Sequence, residues 1–325
     1  MPGILFASND LPNSNIMRTN TQLLIILIGL LVWFVVSISV DFSDRQKFTD
    51  LNAFTIADTA AIRSIEITNQ QEVTLLNRQK DGWLVNELPA ESGMIDVLLS
   101  ILNQMEVKRR VPKREQESVY RLLTENGIKV KVTSGEGSSE FITVGNPAKT
   151  LSYFQKEDDV PAIVHLPGYN SYVTGIFEVL PNDWRKRAIF ESSPRSLKSL
   201  QLQYPEHPED NFEITSNSIK WEIEGLPEGD QKLLNQYLSQ FAYLQVDQYL
   251  DRGQVKELDS LIASQPMAII TIDDIRKEHN GELKLFRTAK GEKMLAGLLN
   301  DEQIVLIEKK RAKALLAKRS DFLSE

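Results

Sequence analysis

The pattern of apolar and polar positions divides the chain into one uninterrupted apolar run and a long stretch of periodic segments. Residues 23–40, LLIILIGLLVWFVVSISV, carry no charge, and Ser37 and Ser39 are their only polar side chains. A helix of this length rises about 27 Å, close to the thickness of a bilayer's hydrocarbon core. The run predicts a single transmembrane helix, preceded by a cytoplasmic segment 1–22 and followed by residues 41–62, which are expected to form a linker and the entry into the first lobe.

Two alternatives to this interpretation stay open at the amino end. A cleaved signal peptide would also begin with an apolar run, but its apolar region is normally about 7–15 residues and ends in small residues. The Ser37–Ile38–Ser39 tripeptide is a poor cleavage site of that kind. Translation from Met17 would give a shorter opening before the same helix. We expect an uncleaved anchor.

The remainder of the chain repeats its own pattern. Trp83 and Pro89 match Trp221 and Pro227 at identical spacing, and each proline is followed by apolar residues at positions i, i+3, i+4 and i+7. This spacing predicts an amphipathic helix in each copy. Around it lie runs of alternating apolar and polar residues, which predict strands with one buried face. These runs are 64–70, 73–78, 127–134, 140–145 and 161–167 in the first copy, and 199–204, 211–217, 266–273, 282–288 and 303–309 in the second.

The order of these elements predicts an α+β fold of two duplicated lobes, residues 63–190 and 195–325. Each lobe is expected to follow β-β-β-α-β-β-β-α, with an antiparallel sheet covered by helices. The two tryptophans are expected to pack the helix on the sheet. Similar tags, WRKRAIF (184–190) and AKRSDFL (317–323), are expected to close the two copies.

Composition narrows the classes of function. The chain has 325 residues, a formal charge of −8 and no cysteine. Its acidity disfavours a nucleic-acid partner, which requires a basic face. The missing cysteines exclude disulfides, thiol nucleophiles and cysteine-ligated metals.

Few residues suggest chemistry. His165 lies in a predicted strand, and His207 and His279 lie in hydrophilic loops without a second ligand at metal-binding spacing. Two acidic pairs, Asp158–Asp159 and Asp273–Asp274, are expected to be solvated turns; a hydrolase that uses them is the least favoured hypothesis. We therefore predict no catalytic residues, no metal and no cofactor.

Two basic segments stand out in this acidic chain. The first, KRRVPKRE (108–115), offers an interaction patch that consists of Lys108, Arg109, Arg110, Lys113 and Arg114. It could contact anionic lipid or an acidic partner, or it could be only a charged helix end followed by a linker. The second, residues 308–319, is an amphipathic basic helix that is expected to pack on the second lobe, with binding at a membrane surface as the alternative.

These features together resemble a bacterial domain of unknown function, family 4340. The resemblance rests on the anchor, the W-x5-P motif at Trp83 and Pro89, and the closing motif at Trp184, Arg185, Arg187 and Phe190. It implies an accessory, non-catalytic protein of the bacterial inner membrane, associated with gliding-motility-type ABC transporters. The implied partners are the lipid bilayer, the transporter permease and its extracytoplasmic subunit.

The leading hypothesis is therefore a single-pass, membrane-anchored scaffold or interaction subunit. Its amino terminus is expected in the cytoplasm and its folded part outside, mainly because of the resemblance, since the charges flanking the helix are nearly balanced. The alternative hypothesis is a sensor or carrier that binds a ligand in the cleft between the lobes.

Overall fold

The computed structural model describes residues 27–28, 30–32, 50–70, 72–135, 137–157, 159–217, 220–226, 229–253, 256–289 and 291–323. The chain forms two units, Met1–Ala53 and Phe54–Glu325. In the first unit, residues 27–28 and 30–32 are helical and exposed. No helix within these described ranges is both long enough and apolar enough to cross a membrane. The predicted segment 1–22 and most of the predicted transmembrane helix 23–40 lie outside the described residues.

The second unit begins with an antiparallel sheet of nine strands. Its order is β4-β3-β2-β1-β6-β7-β8-β9-β5. Buried and more exposed side chains largely alternate along the central strands β1 and β6, as the sequence predicts. The strands are β1 (Ile62–Thr68), β2 (Val73–Gln79), β3 (Gly82–Val85), β4 (Leu88–Pro89), β5 (Glu106–Arg110), β6 (Ile128–Ser134), β7 (Ser138–Gly145), β8 (Ser152–Gln155) and β9 (Ala162–His165).

Apolar groups cover both faces of this sheet. One face carries a cluster of four aromatic rings, Phe54, Phe141, Phe154 and Phe177. The centroids of contacting rings in this cluster are 5.3–6.1 Å apart. On the other face, α2 (Lys113–Asn126) packs through buried residues against Val144. A second helix, α1 (Ser92–Gln104), buries Ile95, Leu98 and Leu102. Two 3₁₀ helices, Val173–Glu178 and Pro181–Trp184, end this half of the unit. We call residues 54–184 the first lobe.

An antiparallel sheet of eight strands follows, in the order β12-β11-β10-β14-β15-β16-β17-β13. Its main core contains buried residues of α3 (Gln231–Leu238) and α5 (Lys309–Leu315), while α4 (Lys256–Ile262) covers a smaller cluster around Phe286. We call residues 190–323 the second lobe. Its strands are β10 (Leu197–Gln203), β11 (Phe212–Ser216), β12 (Trp221–Ile223), β13 (Gln248–Leu250), β14 (Ala268–Asp274), β15 (Gly281–Phe286), β16 (Met294–Leu299) and β17 (Gln303–Glu308).

The two sheets have equivalent strand orders, with β4 as the additional strand of the first. Replacing β3-β2-β1-β6-β7-β8-β9-β5 by β12-β11-β10-β14-β15-β16-β17-β13 reproduces the whole order. Even an irregularity is repeated, because the register shifts between Ile62 and Ser64 in β1 and between Leu197 and Ser199 in β10. The predicted α+β class with antiparallel sheets and helices is confirmed.

The predicted element order was incomplete. Each lobe has a further strand and a further helix after the predicted helix: β5 and α2 in the first lobe, β13 and α4 in the second. A fourth strand, β8 or β16, also joins the later part of each sheet. The segment KRRVPKRE is therefore the end of an edge strand and the start of a helix, instead of a helix end followed by a linker.

Asp274 corrects a second expectation. Instead of forming a solvated turn, Asp273 and Asp274 end strand β14, and the Asp274 side chain has no exposed surface. Its carboxylate accepts hydrogen bonds from the Ser196 hydroxyl at 2.8 Å and the Arg276 backbone N–H at 2.9 Å. Burial acts to raise the Asp274 pKa, but these hydrogen bonds and the Arg276 charge hold that pKa below its ordinary value.

The basic tail packs on the second lobe, as expected. Helix α5 buries Ala312 and Leu315 in the main core of that lobe. Beyond α5, the 3₁₀ helix Arg319–Phe322 buries Phe322 against Phe212 and Tyr237, with ring centroids 5.7 and 5.2 Å away.

Candidate interaction surfaces at the junction of the two lobes

One short segment of chain joins the lobes through backbone hydrogen bonds to both. We call residues 184–191 the interlobe segment. The Trp184 carbonyl accepts from Glu91 N–H at 2.8 Å, and the Lys186 N–H donates to the Pro89 carbonyl at 2.9 Å. The next residues bond to the second lobe: the Arg187 carbonyl accepts from Val246 N–H at 2.8 Å, and the Ile189 N–H donates to the Leu244 carbonyl at 3.0 Å. The segment therefore pairs first with one lobe and then with the other.

Arg185 adds a side-chain contact at the same place. Its guanidinium carbon lies 3.6 Å from the ring centroid of Tyr249, on the edge strand β13, and the residue is only 8% exposed. This is a cation–π contact, which strengthens when both groups are removed from water. The Tyr249 hydroxyl donates to the Lys186 carbonyl at 2.7 Å. Burial lowers the Arg185 pKa, while Tyr249 and Asp251 oppose that shift.

The closing motif, residues 184–190, belongs to both lobes. Trp184 is fully buried at the end of the first lobe, whereas Phe190 lies in the main core of the second, beside Phe241. Residue 190, which the sequence analysis takes as the end of the first repeat, thus packs in the core of the second lobe. Arg187, between them, is half-exposed, and its guanidinium is 4.0 Å from the Asp183 carboxylate.

The second tag aligns differently from the sequence-based alignment. The Phe322 carbonyl accepts from Asp230 N–H at 3.0 Å, as the Trp184 carbonyl accepts from Glu91 N–H. Backbone bridges join Ala90 to Arg185 and Gly229 to Leu323. Phe322 is thus the counterpart of Trp184.

Glu191 anchors the end of the interlobe segment. Its carboxylate pairs with the Lys186 ammonium, and its carbonyl lies 3.2 Å from both the Arg276 guanidinium and the His279 Nδ1. The φ of Glu191 is +51°, in the left-handed region that residues other than glycine rarely adopt. The His279 side chain is only 11% exposed, so this histidine is a junction residue instead of the solvated loop residue that we expected.

The two motif tryptophans occupy equivalent strands but differ in their surroundings. Trp221 is 7% exposed, and its Nε1 donates to Asn235 on α3 at 3.1 Å, which confirms the predicted packing of helix on sheet. Trp83 is only half-buried, with the Arg78 guanidinium 4.7 Å from its ring centroid. Pro89 forms part of the exposed strand β4, and Pro227 lies outside the described residues.

Open grooves lie on two sides of the interlobe segment. One has a volume of about 600 Å³ and is lined by Trp83 and Pro89 of the first lobe, Lys186 and Glu191 of the segment, and Gln245 of the second lobe. The other has a volume of about 480 Å³, and its lining includes Arg185, Tyr249 and the acidic residues Asp183 and Asp251. Each groove has one aromatic side chain, and the smaller groove is otherwise lined mainly by polar residues.

The predicted basic patch lies elsewhere on the first lobe. Lys108, Arg109 and Arg110 are exposed on β5, and Lys113 and Arg114 are exposed in the first turn of α2. The structure therefore brings the five cations together on one edge of the sheet but does not place them at the junction. Tyr249 and Glu191, which the sequence analysis missed, are junction residues recognisable only by long-range contacts.

Among the residues that the structure describes, no three His, Asp or Glu side chains form a metal-binding group. His165 is in strand β9, opposite Glu106, and His207 is exposed beside Glu209. The junction and the basic patch are therefore the features that sequence and structure both single out.

Comparison with known families identifies a match that covers parts of both lobes. The model for the domain of unknown function DUF4340 matches residues 83–266, more than half of the chain. The match begins at Trp83 and runs through the interlobe segment into the second lobe. Neither a curated protein nor a solved structure matches the chain. The resemblance inferred from the tryptophan, proline and closing motifs is thereby confirmed, and the chain belongs to the DUF4340 family.

Proposed function

We propose that this protein is a non-catalytic, membrane-anchored scaffold that acts outside the cytoplasm as an interaction subunit of an ABC-transporter-like complex. The observation that carries the proposal is the use of the family motif. Trp184, Arg185 and Phe190 are buried within or between the lobes, where they contribute to the two cores and to the contact between the lobes. Residues 23–40 supply the anchor in this proposal.

A joined pair of lobes suits a protein that holds partners in place. Backbone hydrogen bonds from the interlobe segment to both lobes oppose movement of one lobe relative to the other. The cation–π contact between Arg185 and Tyr249 adds to this resistance. The proposed partners, a permease and an extracytoplasmic subunit, come from the family resemblance. Their contact surfaces would include the grooves beside the interlobe segment, since interfaces favour concave sites with exposed aromatic residues.

Purification from membranes tests the proposal. The tagged full-length chain, produced at its natural level, is extracted in mild detergent and recovered through its tag. We expect membrane proteins in fixed stoichiometry, identified by mass spectrometry. A tagged segment 1–53 is the matched control, since it separates partners of the anchor from partners of the folded unit. Recovery of the full-length chain alone would contradict the proposal.

The missing cysteines allow a direct test of the compartment. Tyr169 is 70% exposed, so a Tyr169→Cys substitution introduces one accessible thiol into a chain that otherwise has none. We expect a membrane-impermeant maleimide to label this variant in intact spheroplasts. The natural chain is the control and should stay unlabelled. Labelling only after lysis would place the folded unit in the cytoplasm and overturn that part of the proposal.

A sensor or carrier is the second candidate, because the groove of about 600 Å³ exposes one face of the motif residue Trp83 to solvent. Native mass spectrometry of the purified chain should then detect a retained small molecule. Trp83→Ala should release that molecule, whereas Trp221→Phe, a change in the buried counterpart, should retain it. A natural chain without added mass would contradict this candidate.

A further inference from the structure

The first lobe presents a continuous basic edge. We use this name for Lys108, Arg109, Arg110, Lys113 and Arg114, all of which are exposed. The first three extend along the edge strand β5, and the other two begin helix α2, after Pro112. The five cations lie within seven residues of a chain whose formal charge is −8.

Most of this positive charge is not neutralised locally. Within the described part of the chain, Arg114 forms an ion pair with the neighbouring Glu115 at 3.2 Å, and the other four cations form none. Lys113 and Arg114 also lie where the helix dipole disfavours positive charge, at the amino end of α2. Their position therefore costs stability.

Protection of the sheet edge explains only part of the pattern. Charged residues and a bulge on an edge strand prevent pairing with other chains, and β5 has both, with its register shift at Lys108. That role does not require Lys113 and Arg114, which lie on the helix. The equivalent edge strand of the second lobe, β13, has no cation; Arg185 packs on its Tyr249, and Asn182 donates to Asp251, the residue that follows the strand.

The basic edge lies beside the place where the chain enters the first lobe. Thr55 donates from its hydroxyl to the Met105 carbonyl at 2.6 Å, and the Ile56 N–H donates to the Leu102 carbonyl at 2.8 Å. Strand β5 begins at the next residue, Glu106. The segment 41–53 separates the apolar run from this point, and a fully extended chain of that length spans less than about 50 Å.

We infer that the basic edge binds the anionic phospholipid headgroups of the membrane in which the apolar run is anchored. This inference rests on the proposed anchor. Lysine and arginine side chains are attracted to anionic phospholipid surfaces, and the attraction falls off within a Debye length. The tether limits how far the exposed cations can move from such a surface, and the lipid contact itself would hold them there. Together these contacts would orient the first lobe, with β5 and the start of α2 toward the bilayer.

The test measures proximity to lipid in the full-length chain. Ser118→Cys, on the exposed side of α2, carries a fluorophore, and headgroup-labelled lipid carries a quencher. The protein is reconstituted into phosphatidylcholine vesicles, or into vesicles in which about one third of the lipid is phosphatidylglycerol. We expect several-fold stronger quenching in the anionic vesicles. Raising the salt from about 0.1 M to about 0.5 M should remove most of that difference.

Two variants make the result specific. Replacing the five cations by glutamine (K108Q, R109Q, R110Q, K113Q and R114Q) should abolish the difference between the vesicles. The matched control removes five exposed lysines of the second lobe (K232Q, K256Q, K277Q, K293Q and K310Q) and should retain it. A fluorophore at Ser260→Cys, on α4, should report no effect of lipid charge.

The outcomes separate this inference from the proposed function. A chain that fails to float with either kind of vesicle has no anchor, and the proposed function then fails. A chain that floats with both but is quenched equally in both has no lipid contact at the basic edge, and the inference alone is overturned. Loss of a co-purified acidic protein from the five-glutamine variant, with quenching unchanged, would assign the edge to that protein and also overturn the inference.

Discussion

At the scale of single residues, the second lobe is stabilised by a buried polar side chain that the sequence pattern does not identify as buried. The pair Asp273–Asp274 looks like a turn because two acids follow an apolar run. In the structure only Asp273 is half-exposed, while Asp274 turns inward to the Ser196 hydroxyl and the Arg276 N–H. Which of the two neighbouring acids is buried depends on Ser196, which is distant along the chain but in contact with Asp274. The local sequence therefore could not predict it.

Asp274→Asn should lower the free energy of unfolding by about 1–3 kcal/mol at pH 7, because buried hydrogen bonds to a carboxylate are lost. Since the folded-state pKa of Asp274 lies below its ordinary value of about 4, its contribution is present above that value. It is lost as the pH falls through the folded-state pKa. Urea unfolding between pH 7 and pH 3 checks both statements.

The control for this prediction is Asp273→Asn, which removes a half-exposed carboxylate 3.7 Å from Lys198. It should cost less than about 1 kcal/mol, because exposed ion pairs contribute little. Equal losses for the two substitutions, or an Asp274→Asn loss that is constant with pH, would refute the role given to Asp274.

At the scale of elements, the sequence pattern predicts strands that have one buried and one exposed face. It misses strands whose burial does not alternate. Strand β14 alternates in burial along its whole length and β6 along its first five residues, and both strands were predicted. Strand β5 buries only Val107, because it is a bulged edge strand, so no alternation marks it. Strand β16 buries four consecutive residues, since both faces of its sheet are covered, and period two disappears there as well.

The tags show the same limit. Segments 184–190 and 317–323 have similar sequences, but equivalent backbone hydrogen bonds, from Glu91 N–H to the Trp184 carbonyl and from Asp230 N–H to the Phe322 carbonyl, make Phe322 the counterpart of Trp184. Those bonds join residues about ninety positions apart, such as Glu91 and Trp184, and no local pattern encodes them.

The 3₁₀ helix Arg319–Phe322 has only four residues, but we expect it to contribute strongly to the stability of the second lobe. Phe322 is 3% exposed between two aromatic rings, so Phe322→Ala should destabilise the unit by about 3–5 kcal/mol. Leu323→Ala is the adjacent control; its side chain is 52% exposed, and the expected change is within about 0.5 kcal/mol. Thermal unfolding monitored by circular dichroism would measure both, and similar effects would contradict this packing.

At the scale of the whole molecule, the interlobe segment makes two repeated lobes into one unit. A double-mutant cycle of Arg185→Ala and Tyr249→Ala should give a coupling energy of about 1–2 kcal/mol, since the contact is largely buried. In both single variants we also expect faster hydrogen exchange than in the natural chain at the amides of Val246 and Ile189, which form hydrogen bonds across the junction.

Arg187→Ala is the control in the same segment. Its guanidinium is 46% exposed and makes one long ion pair, so its loss should change stability by less than about 0.5 kcal/mol and leave the exchange of those amides unchanged. A coupling energy near zero for Arg185 and Tyr249, or equal effects of Arg185→Ala and Arg187→Ala, would show that the aromatic contact does not hold the lobes together.

The division of the closing motif between the two cores has a consequence for biosynthesis. Every residue from Phe54 to Trp184 is available before Phe190 leaves the ribosome, so the amino-terminal half can complete its core while the rest is still being made. Phe190 then emerges next to a completed first core, and the core of the second lobe closes only when Phe322 has also been synthesised. Assembly of this molecule is therefore directional, from the amino end outward.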